Sequence, residues 1–226
     1  MISQRKTEAE KARIVANCGR CGGVGCAYCQ KYCSFIDRMS EAGIPVDYWF
    51  RDMEKWYGDP DFAEEFKVSY LSRIEAAYAD GRVLCLLGHR GVGKTMAACS
   101  ALKKAILSGY SAHYTSLVDA VDFLVSGDAH DYRQLLKSVD FLVMDEVDQR
   151  FFDHVNSRAL YGNQFEYILR TRTQNRLPMI MCSNSERVED IFFNDQAQAS
   201  FVSLGTQFFA TMRVGGRDAR PKEGGQ

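Results

Sequence analysis

Residues 88–95 of the chain are Gly-His-Arg-Gly-Val-Gly-Lys-Thr, and this stretch decides the fold. It matches the whole of the pattern G-x-x-x-x-G-K-[ST], a loop that binds the phosphates of nucleotides through its backbone N–H groups. The apolar run Val83–Leu87 before it predicts a buried strand, and residues 96–102 after it predict a helix. A strand, a glycine loop and a helix N-terminus in this order form an anion site, whereas a glycine-rich turn elsewhere need bind nothing. We therefore expect a nucleotide at this loop.

The residues of the loop have separate expected roles. Its glycines let the backbone turn tightly. Lys94 is expected to reach the β- and γ-phosphates, and the hydroxyl of Thr95 is expected to hold Mg²⁺. We expect the nucleotide to contact the whole loop, which consists of Gly88, His89, Arg90, Gly91, Val92, Gly93, Lys94 and Thr95.

A second apolar run, Phe141–Met144, ends in the carboxylates Asp145 and Glu146. Ligands of open α/β sheets bind at the carboxyl ends of the strands. We therefore predict that Asp145 holds Mg²⁺, directly or through water, and that Glu146 orients and polarises the attacking water. An apolar strand that ends in Asp-Glu is usually only a strand meeting a polar loop, so this prediction depends on the complete loop upstream.

A third apolar strand, Pro178–Cys182, ends in Ser183 and Asn184. The side chain of Asn184 can hydrogen-bond the γ-phosphate or the attacking water. Alternatively, Ser183 and Asn184 cap a helix that begins near Glu186. The residues alone leave both interpretations open.

Five of the eight cysteines fall between positions 18 and 33, and four of them form the pattern C-x₂-C-x₄-C-x₂-C. Two such pairs suit Zn²⁺ bound tetrahedrally by four thiolates, a closed set that is typical of a structural site. An Fe–S cluster, or cysteines without a metal, are the alternatives. Cys33 is a fifth candidate that could replace the last ligand. The expected zinc ligands are Cys18, Cys21, Cys26 and Cys29.

Composition excludes few classes of function and indicates a compartment. The formal net charge is −1, so any nucleic-acid contact must come from a local basic patch. There is no run of 18 apolar residues for a membrane span, and the charged first residues do not resemble a signal peptide. We expect a cytoplasmic, reducing location, without disulfides. The remaining cysteines are expected to be small buried hydrophobes, namely Cys85, Cys99 and Cys182.

Residues 43–213 resemble AAA+ ATPases of the bacterial helicase-loader group (DnaC and DnaI type), which includes the transposon-associated IstB ATPases. Besides the loop and the Asp145-Glu146 pair, Gly43–Tyr48 resembles the segment that leads into the adenine pocket, and residues 169–184 resemble the sensor-1 region. The resemblance implies an α/β fold, a parallel P-loop sheet flanked by helices with the Asn184 strand between the other two. It also implies ATP and Mg²⁺ as ligands, ATPase activity, and Lys94, Glu146 and Asn184 as catalytic residues.

The arginines depart from that family pattern. Loaders usually have an arginine before a Leu-Gly near the end, which acts on the ATP of a neighbouring subunit, and residues 198–205 lack one. Arg158 or Arg172 could substitute, although an exposed helix arginine is more often only solvated. The arginine that acts on the same subunit's ATP is Arg213 or Arg217, of which we take Arg213 as the candidate. Glu146, where many loaders have aspartate, favours competent hydrolysis.

The chain divides into four predicted parts. These are a zinc-binding module at 1–40, an aromatic connector at 41–61, an AAA+ ATPase domain at 62–213 and a flexible tail at 214–226. The periodicity of residues 62–79 predicts one amphipathic helix, which Asp80-Gly81 ends. The alternation of strands and helices that follows predicts a parallel sheet.

Three functions fit these features. The first is an ATP-dependent loader, oligomeric with ATP, whose zinc module grips a replicative hexameric helicase and whose residues 41–226 bind single-stranded DNA. We expect residues 1–40 to bind the helicase on their own. The second is an IstB-like regulator that brings a transposase to duplex DNA. The third is a nucleotide-gated adaptor with negligible turnover, which the missing arginine favours.

Overall fold

The computed structural model describes residues 4–125, 129–148, 155–191, 209–216 and 218, with only the backbone for 155–160. Within these ranges the helices are α1 (Gln4–Ala16), α2 (Ala27–Glu41), α3 (Pro60–Ser69), α4 (Ile74–Asp80), α5 (Lys94–Leu107), α6 (Leu117–Val125), α7 (Ala129–Ser138) and α8 (Val155–Gln174). The strands are β1 (Val83–Leu87), β2 (Ala112–Ser116), β3 (Phe141–Asp145), β4 (Met179–Ser183) and β5 (Phe209–Arg213).

The five strands form one parallel sheet in the order β2-β3-β4-β1-β5. The predicted α/β fold is therefore confirmed, and β4 lies between β1 and β3 as the family resemblance implied. Strands β1, β3 and β4 are buried along their whole length, as expected of parallel strands with helices on both faces. Because all strands run the same way, Leu87, Asp145 and Ser183 end at one edge of the sheet, where ligands of such folds bind.

The prediction of a single helix over residues 62–79 is wrong. A 3₁₀ turn at Leu71–Arg73 separates α3 from α4. The hydroxyls of Ser69 and Ser72 donate to backbone carbonyls four residues earlier, at 2.6 and 2.7 Å, and such bonds loosen helical geometry. The predicted end is confirmed, because Gly81 caps α4 in the left-handed conformation with φ +63°.

The N-terminal helices pack on the rest of the chain. Lys11 of α1 makes an ion pair with Asp37 of α2 at 3.0 Å. Further along α2, Ile36 and Met39 are buried in the same apolar cluster as the helix that follows the glycine loop, α5. The domain bounds stay a prediction, but α2 shares an apolar core with α5. Partner experiments therefore belong in the full chain.

Several predictions lie outside the described residues. These concern residues 198–205, Arg217, most of the tail, and the side chain of Arg158. Across the ranges that the structure describes, none of the helices combines the length and the apolar character that a bilayer crossing requires.

Candidate functional site

The glycine loop turns between β1 and α5 in a backbone conformation that requires glycine. Gly91 and Gly93 have φ of +81° and +106°. A Cβ atom on Gly93 would lie 2.4 Å from the ring of Trp56, and one on Gly88 would lie 2.3 Å from the carbonyl oxygen of Val214. The positive φ angles and the close approach of neighbouring groups both exclude larger residues here.

Lys94 is buried at the first turn of α5. Its Nζ donates to the carbonyl oxygens of Gly88 and His89, at 2.7 and 2.8 Å, and to Oδ1 of Asn184 at 2.8 Å. Two carbonyls of the glycine loop thus hold the ammonium group. Phosphate oxygens would compete for the same donors, so the lysine is placed to exchange these partners for a nucleotide.

Asp145, at the end of β3, is the centre of a polar cluster. Its Oδ2 accepts hydrogen bonds from the hydroxyl of Thr95 at 2.7 Å and from that of Tyr114 at 2.8 Å. Its Oδ1 accepts from the backbone N–H of Glu146 at 2.7 Å. A hydroxyl and a carboxylate are ligands that Mg²⁺ prefers, and Thr95 and Asp145 are the pair predicted to hold it. Burial, with the carboxylate of Asp145 as a second cause, raises the pKa of Tyr114, which therefore stays a neutral donor.

Glu146 begins a turn that leaves the sheet. Its φ is +55°, a left-handed conformation that is uncommon for a residue other than glycine. The turn is fixed by hydrogen bonds from Val147 N to the carbonyl of Cys182 at 3.0 Å, and from Asp148 N to the carbonyl of Glu146 at 2.8 Å. The side chain of Glu146 lines the same cavity as the glycine loop. Glu146 therefore borders the space beside the glycine loop.

Asn184 lies directly after β4, between Lys94 and Asp148. Its Nδ2 donates to Oδ2 of Asp148 at 2.6 Å, while its Oδ1 accepts from Lys94. The described residues contain no α-helix near Glu186, where the capping interpretation placed one. A 3₁₀ turn at Glu189–Ile191 follows instead. The side chain of Asn184 is oriented by its bonds to Lys94 of the glycine loop and to Asp148.

These groups surround one cavity of about 590 Å³. Its lining includes Arg90–Thr95, Asp145, Glu146 and Asn184 from the sequence predictions. His89 is exposed and contributes its carbonyl to Lys94. The opposite wall consists of Tyr48, Arg51, Lys55, Trp56, Tyr57 and Gly58. Of these, only Tyr48 belongs to the segment whose resemblance pointed to the adenine pocket, and the other five were not predicted as site residues.

This opposite wall is held against α5 by a buried lysine. The Nζ of Lys103 donates to the carbonyl oxygens of Tyr48, at 2.8 Å, and Arg51. Burial lowers the pKa of Lys103. Trp56 donates from its indole Nε1 to the carbonyl oxygen of Asp59 at 2.9 Å and packs on the loop beside Gly93. The sequence feature that could have predicted this wall is the aromatic segment that ends in Gly58-Asp59-Pro60.

The two described candidate arginines have different surroundings, and the role predicted for Arg213 stays a prediction. Arg172 is completely buried, and its guanidinium donates to the carbonyl oxygens of Leu136, Val139, Asp140 and Pro178 at 2.7–3.0 Å. It joins α7 and α8 to the sheet and cannot reach a neighbouring subunit, so its trans role is wrong. Arg213 is exposed at the end of β5, beside Leu87, and does not line the cavity.

Four cysteines of the N-terminal segment, residues 18–33, form a cluster, and the other four cysteines of the chain lie outside it. The sulfur atoms of Cys18, Cys21, Cys26 and Cys29 all lie within 4.8 Å of one another. A hydrogen bond from Gly25 N to Cys21 Sγ, at 3.3 Å, lowers the pKa of this thiol to about 6. Cys33 lies outside the cluster, with Sγ near the carbonyl of Lys11. The prediction that the other cysteines are buried is confirmed for Cys85, Cys99 and Cys182.

Several solved structures have a similar fold. DnaI is 18% identical, with a TM-score of 0.63 over 78% of this chain and 94% of DnaI. The DnaC helicase loader is 15% identical, with a TM-score of 0.57 over 75% of this chain and 99% of DnaC. The replication initiator DnaA, bound to AMPPCP and single-stranded DNA, is 22% identical, with a TM-score of 0.55 over 75% of this chain. The chain spans only 50% of the length of that DnaA structure. At these identities the likeness concerns the fold.

A match of sequence shows family membership more directly than these structural likenesses do. No curated protein sequence matches the chain. The family model of the IstB-like ATP binding protein matches residues 52–200, more than half of the chain. This range contains the glycine loop, Asp145, Glu146 and Asn184, and of the cavity lining only Tyr48 and Arg51 lie outside it. The chain therefore belongs to the IstB-like ATP-binding proteins, an AAA+ P-loop family.

Proposed function

We propose that the protein binds ATP with Mg²⁺ and hydrolyses it to ADP and phosphate. The proposal rests on the convergence of three strand ends on one cavity. There the bonds from Thr95 to Asp145, at 2.7 Å, and from Lys94 to Asn184, at 2.8 Å, join the glycine loop to β3 and β4. A nucleotide in this cavity would meet the ammonium group of Lys94, the Mg²⁺ ligands proposed above, and a carboxylate that can act as a general base.

The residues of the cavity divide the work. Lys94 leaves the loop carbonyls and binds the β- and γ-phosphates. Thr95 and Asp145 would hold Mg²⁺, which supplies positive charge against the charge that develops on the phosphates. Glu146 accepts a proton from the attacking water, and Asn184 contacts this water or the γ-phosphate.

We also propose that ATP drives the loading of a replicative hexameric helicase onto single-stranded DNA. The fold likeness to DnaI and to the DnaC helicase loader, almost over their full length, supports this function. In our proposal the ATP-bound chains form a homo-oligomer that contacts single-stranded DNA through local lysines and arginines. That contact should weaken as the salt concentration rises.

For the N-terminal segment we propose a structural zinc site. Tetrahedral Zn²⁺ with Zn–S bonds of about 2.3 Å separates its sulfur ligands by about 3.8 Å. The cysteine sulfurs approach this spacing, since Cys29 Sγ lies 3.6 Å from Cys21 Sγ and 3.7 Å from Cys26 Sγ. With four protein ligands the metal would have no open position, and its effect would be to hold the turn between α1 and α2.

A metal measurement tests this zinc site. We expect about one zinc per chain by mass spectrometry, without the visible absorption of an Fe–S cluster. Replacing both Cys18 and Cys21 with serine should remove the metal, because the remaining thiolates cannot close a tetrahedral site. Cys33→Ser is the matched control and should keep the metal. Iron with sulfide, or a metal-free protein after gentle purification, would contradict the proposal.

The outer surface of this N-terminal segment suits a protein partner. Val24 is 88% exposed, and Tyr28 and Tyr32 are exposed neighbours whose ring centroids lie 4.8 Å apart. The guanidinium of Arg20 lies 4.3 Å from the centroid of the Tyr28 ring. Aromatic residues and arginine are enriched where proteins bind one another. We therefore propose this surface as the contact with the helicase.

Helicase binding by the full-length protein tests the loader function. With ATP present, the protein should form a complex with the cognate replicative helicase, measured by light scattering. The double substitution Tyr28→Ser and Tyr32→Ser should weaken it about 10-fold or more, because central aromatic contacts carry much of the affinity of an interface. Val68→Ser, an exposed change on α3, is the control, and each variant's zinc content should match the wild type. An unchanged affinity in the double variant would place the contact elsewhere.

Two other functions remain as outcomes of these measurements. A chain that binds a transposase and duplex DNA, but no helicase, would be an IstB-like regulator of transposition, which the family match favours. A chain that binds ATP but hydrolyses it negligibly, with or without single-stranded DNA, would be a nucleotide-gated adaptor.

A further inference from the structure

A buried carboxylate contacts Asn184 on the side away from Lys94 of the glycine loop. Asp148 is 5% exposed, and its Oδ1 accepts from the backbone N–H of Asn184 at 2.8 Å. Its Oδ2 accepts from Nδ2 of Asn184 at 2.6 Å. Asp148 thus binds both the backbone and the side chain of the residue that faces Lys94.

The chemistry of these neighbours fixes the orientation of the Asn184 amide. A lysine ammonium group only donates hydrogen bonds, and an ionised carboxylate only accepts them. The amide oxygen must therefore face Lys94 and the amide nitrogen must face Asp148. Rotating the amide by half a turn would place oxygen against oxygen and nitrogen against ammonium.

We propose that Asp148 is a positioning residue that makes Asn184 a hydrogen-bond acceptor toward the attacking water. When ATP draws Lys94 to its phosphates, Oδ1 of Asn184 loses this donor and can accept from a water O–H group instead. Asp148 keeps the amide nitrogen turned away from the γ-phosphate. This inference rests on the proposed hydrolysis. It adds that Asn184 accepts, rather than donates, the hydrogen bond that it shares with the attacking water.

Asp148 also lies in the turn that carries Glu146. Its backbone N–H donates to the carbonyl oxygen of Glu146 at 2.8 Å, and the neighbouring Val147 N–H donates to the carbonyl oxygen of Cys182 at 3.0 Å. One short segment therefore ties the proposed base to the end of the strand that carries Asn184. A water between Glu146 and Asn184 would be held by two acceptors, one for each of its protons.

The step that this arrangement serves is a balanced hydrolysis. The water oxygen forms a bond to the γ-phosphorus, and the bond from that phosphorus to the β–γ bridging oxygen breaks. The electron pair of the broken bond leaves with ADP, and the proton removed from the water goes to Glu146. Oδ1 of Asn184 accepts a hydrogen bond from the other O–H group of the water. This bond directs a lone pair of the water oxygen at the γ-phosphorus, and such an orientation contributes to the rate.

The substitution Asp148→Asn tests the proposal, because an amide at position 148 can donate to Oδ1 of Asn184 and permit it to turn around. We expect kcat for ATP to fall about 10-fold or more, while KM changes less than about 3-fold. In an Asn184→Ala background the same substitution should change kcat less than about 2-fold, since the group through which it acts is gone. Asp122→Asn, an exposed change on α6, is the matched control.

Each result has a defined meaning. Wild-type kcat in Asp148→Asn, or an equal fall in both backgrounds, would overturn the positioning role, because a merely structural residue acts with or without Asn184. If thermal unfolding shows that Asp148→Asn does not fold, Asp148→Ser serves in its place with the same expected pattern. A wild-type protein without turnover would refute the proposed ATPase activity itself, and this inference would fall with it.

Discussion

The substitution Lys94→Ala is expected to raise the dissociation constant of ATP about 10²-fold or more and to abolish measurable turnover. The variant lacks the ammonium group that donates to the carbonyl oxygens of Gly88 and His89 and to Oδ1 of Asn184 at 2.7–2.8 Å. In the nucleotide complex this group would make at least two charge-assisted hydrogen bonds to phosphate oxygens, each contributing about 1.5–3 kcal/mol. Their sum corresponds to about 10²-fold to 10⁴-fold in affinity. Titration with a fluorescent ATP analogue measures it.

A matched lysine on the same helix separates this effect from a general loss of charge. Lys104 is exposed on α5, ten residues further along, and Lys104→Ala should bind ATP like the wild type. The melting temperature of both variants should be compared, because Lys94→Ala leaves two loop carbonyls without their donor. ATP hydrolysis at the wild-type rate by a folded Lys94→Ala protein would mean that the nucleotide site lies elsewhere.

The parts of the fold that sequence predicted are those in which local pattern and chain position agree. A loop of fixed spacing, Gly88–Thr95, needs a strand before it and a helix after it, so three elements follow from one motif. Apolar runs that end in Asp145 and Asn184 indicated buried parallel strands, because both faces of such strands are covered. Since parallel strands end at one edge, the meeting of these residues followed from the fold.

The parts that sequence missed depend on contacts between distant segments. Nothing near Trp56 indicates that its ring packs on Gly93, because a preference for aromatic residues says only that a segment is buried. Arg172 looked like a solvated helix arginine, yet tertiary packing buries it among backbone carbonyls. Asp148 follows Asp145-Glu146 by so few residues that it reads as an ordinary loop acid. Its contact with Asn184 exists only because β3 and β4 are neighbours.

The residues that sequence did not predict support the site rather than mark where it is. The predicted residues are those proposed to bind phosphate and metal, whereas those found in the structure contact the predicted residues and hold them in place. Lys103 holds the wall with Trp56 against α5, and Asp148 orients Asn184. Such supporting residues need only the right shape and hydrogen-bonding capacity, so no short motif marks them.

The substitution Glu146→Gln is expected to separate ATP binding from hydrolysis. Glutamine keeps the shape of the side chain but cannot take a proton from water. Thr95 and Asp145, joined at 2.7 Å, are unchanged, so the affinity for ATP and Mg²⁺ should stay within about 3-fold of the wild type. The rate of ADP formation should fall about 10²-fold or more, which is the scale of a lost general base.

The position of Glu146 makes this comparison informative. Hydrogen bonds from the backbone N–H groups of Val147 and Asp148 hold this turn, in which Glu146 has a φ of +55°. Glutamine should therefore leave the backbone unchanged. Glu64→Gln, an exposed change on α3, is the control for the loss of one negative charge. The Glu146→Gln protein should accumulate bound ATP, which single-turnover measurements detect directly. Full hydrolytic activity in Glu146→Gln would assign the base to another residue, and loss of ATP binding would assign the carboxylate to the metal instead.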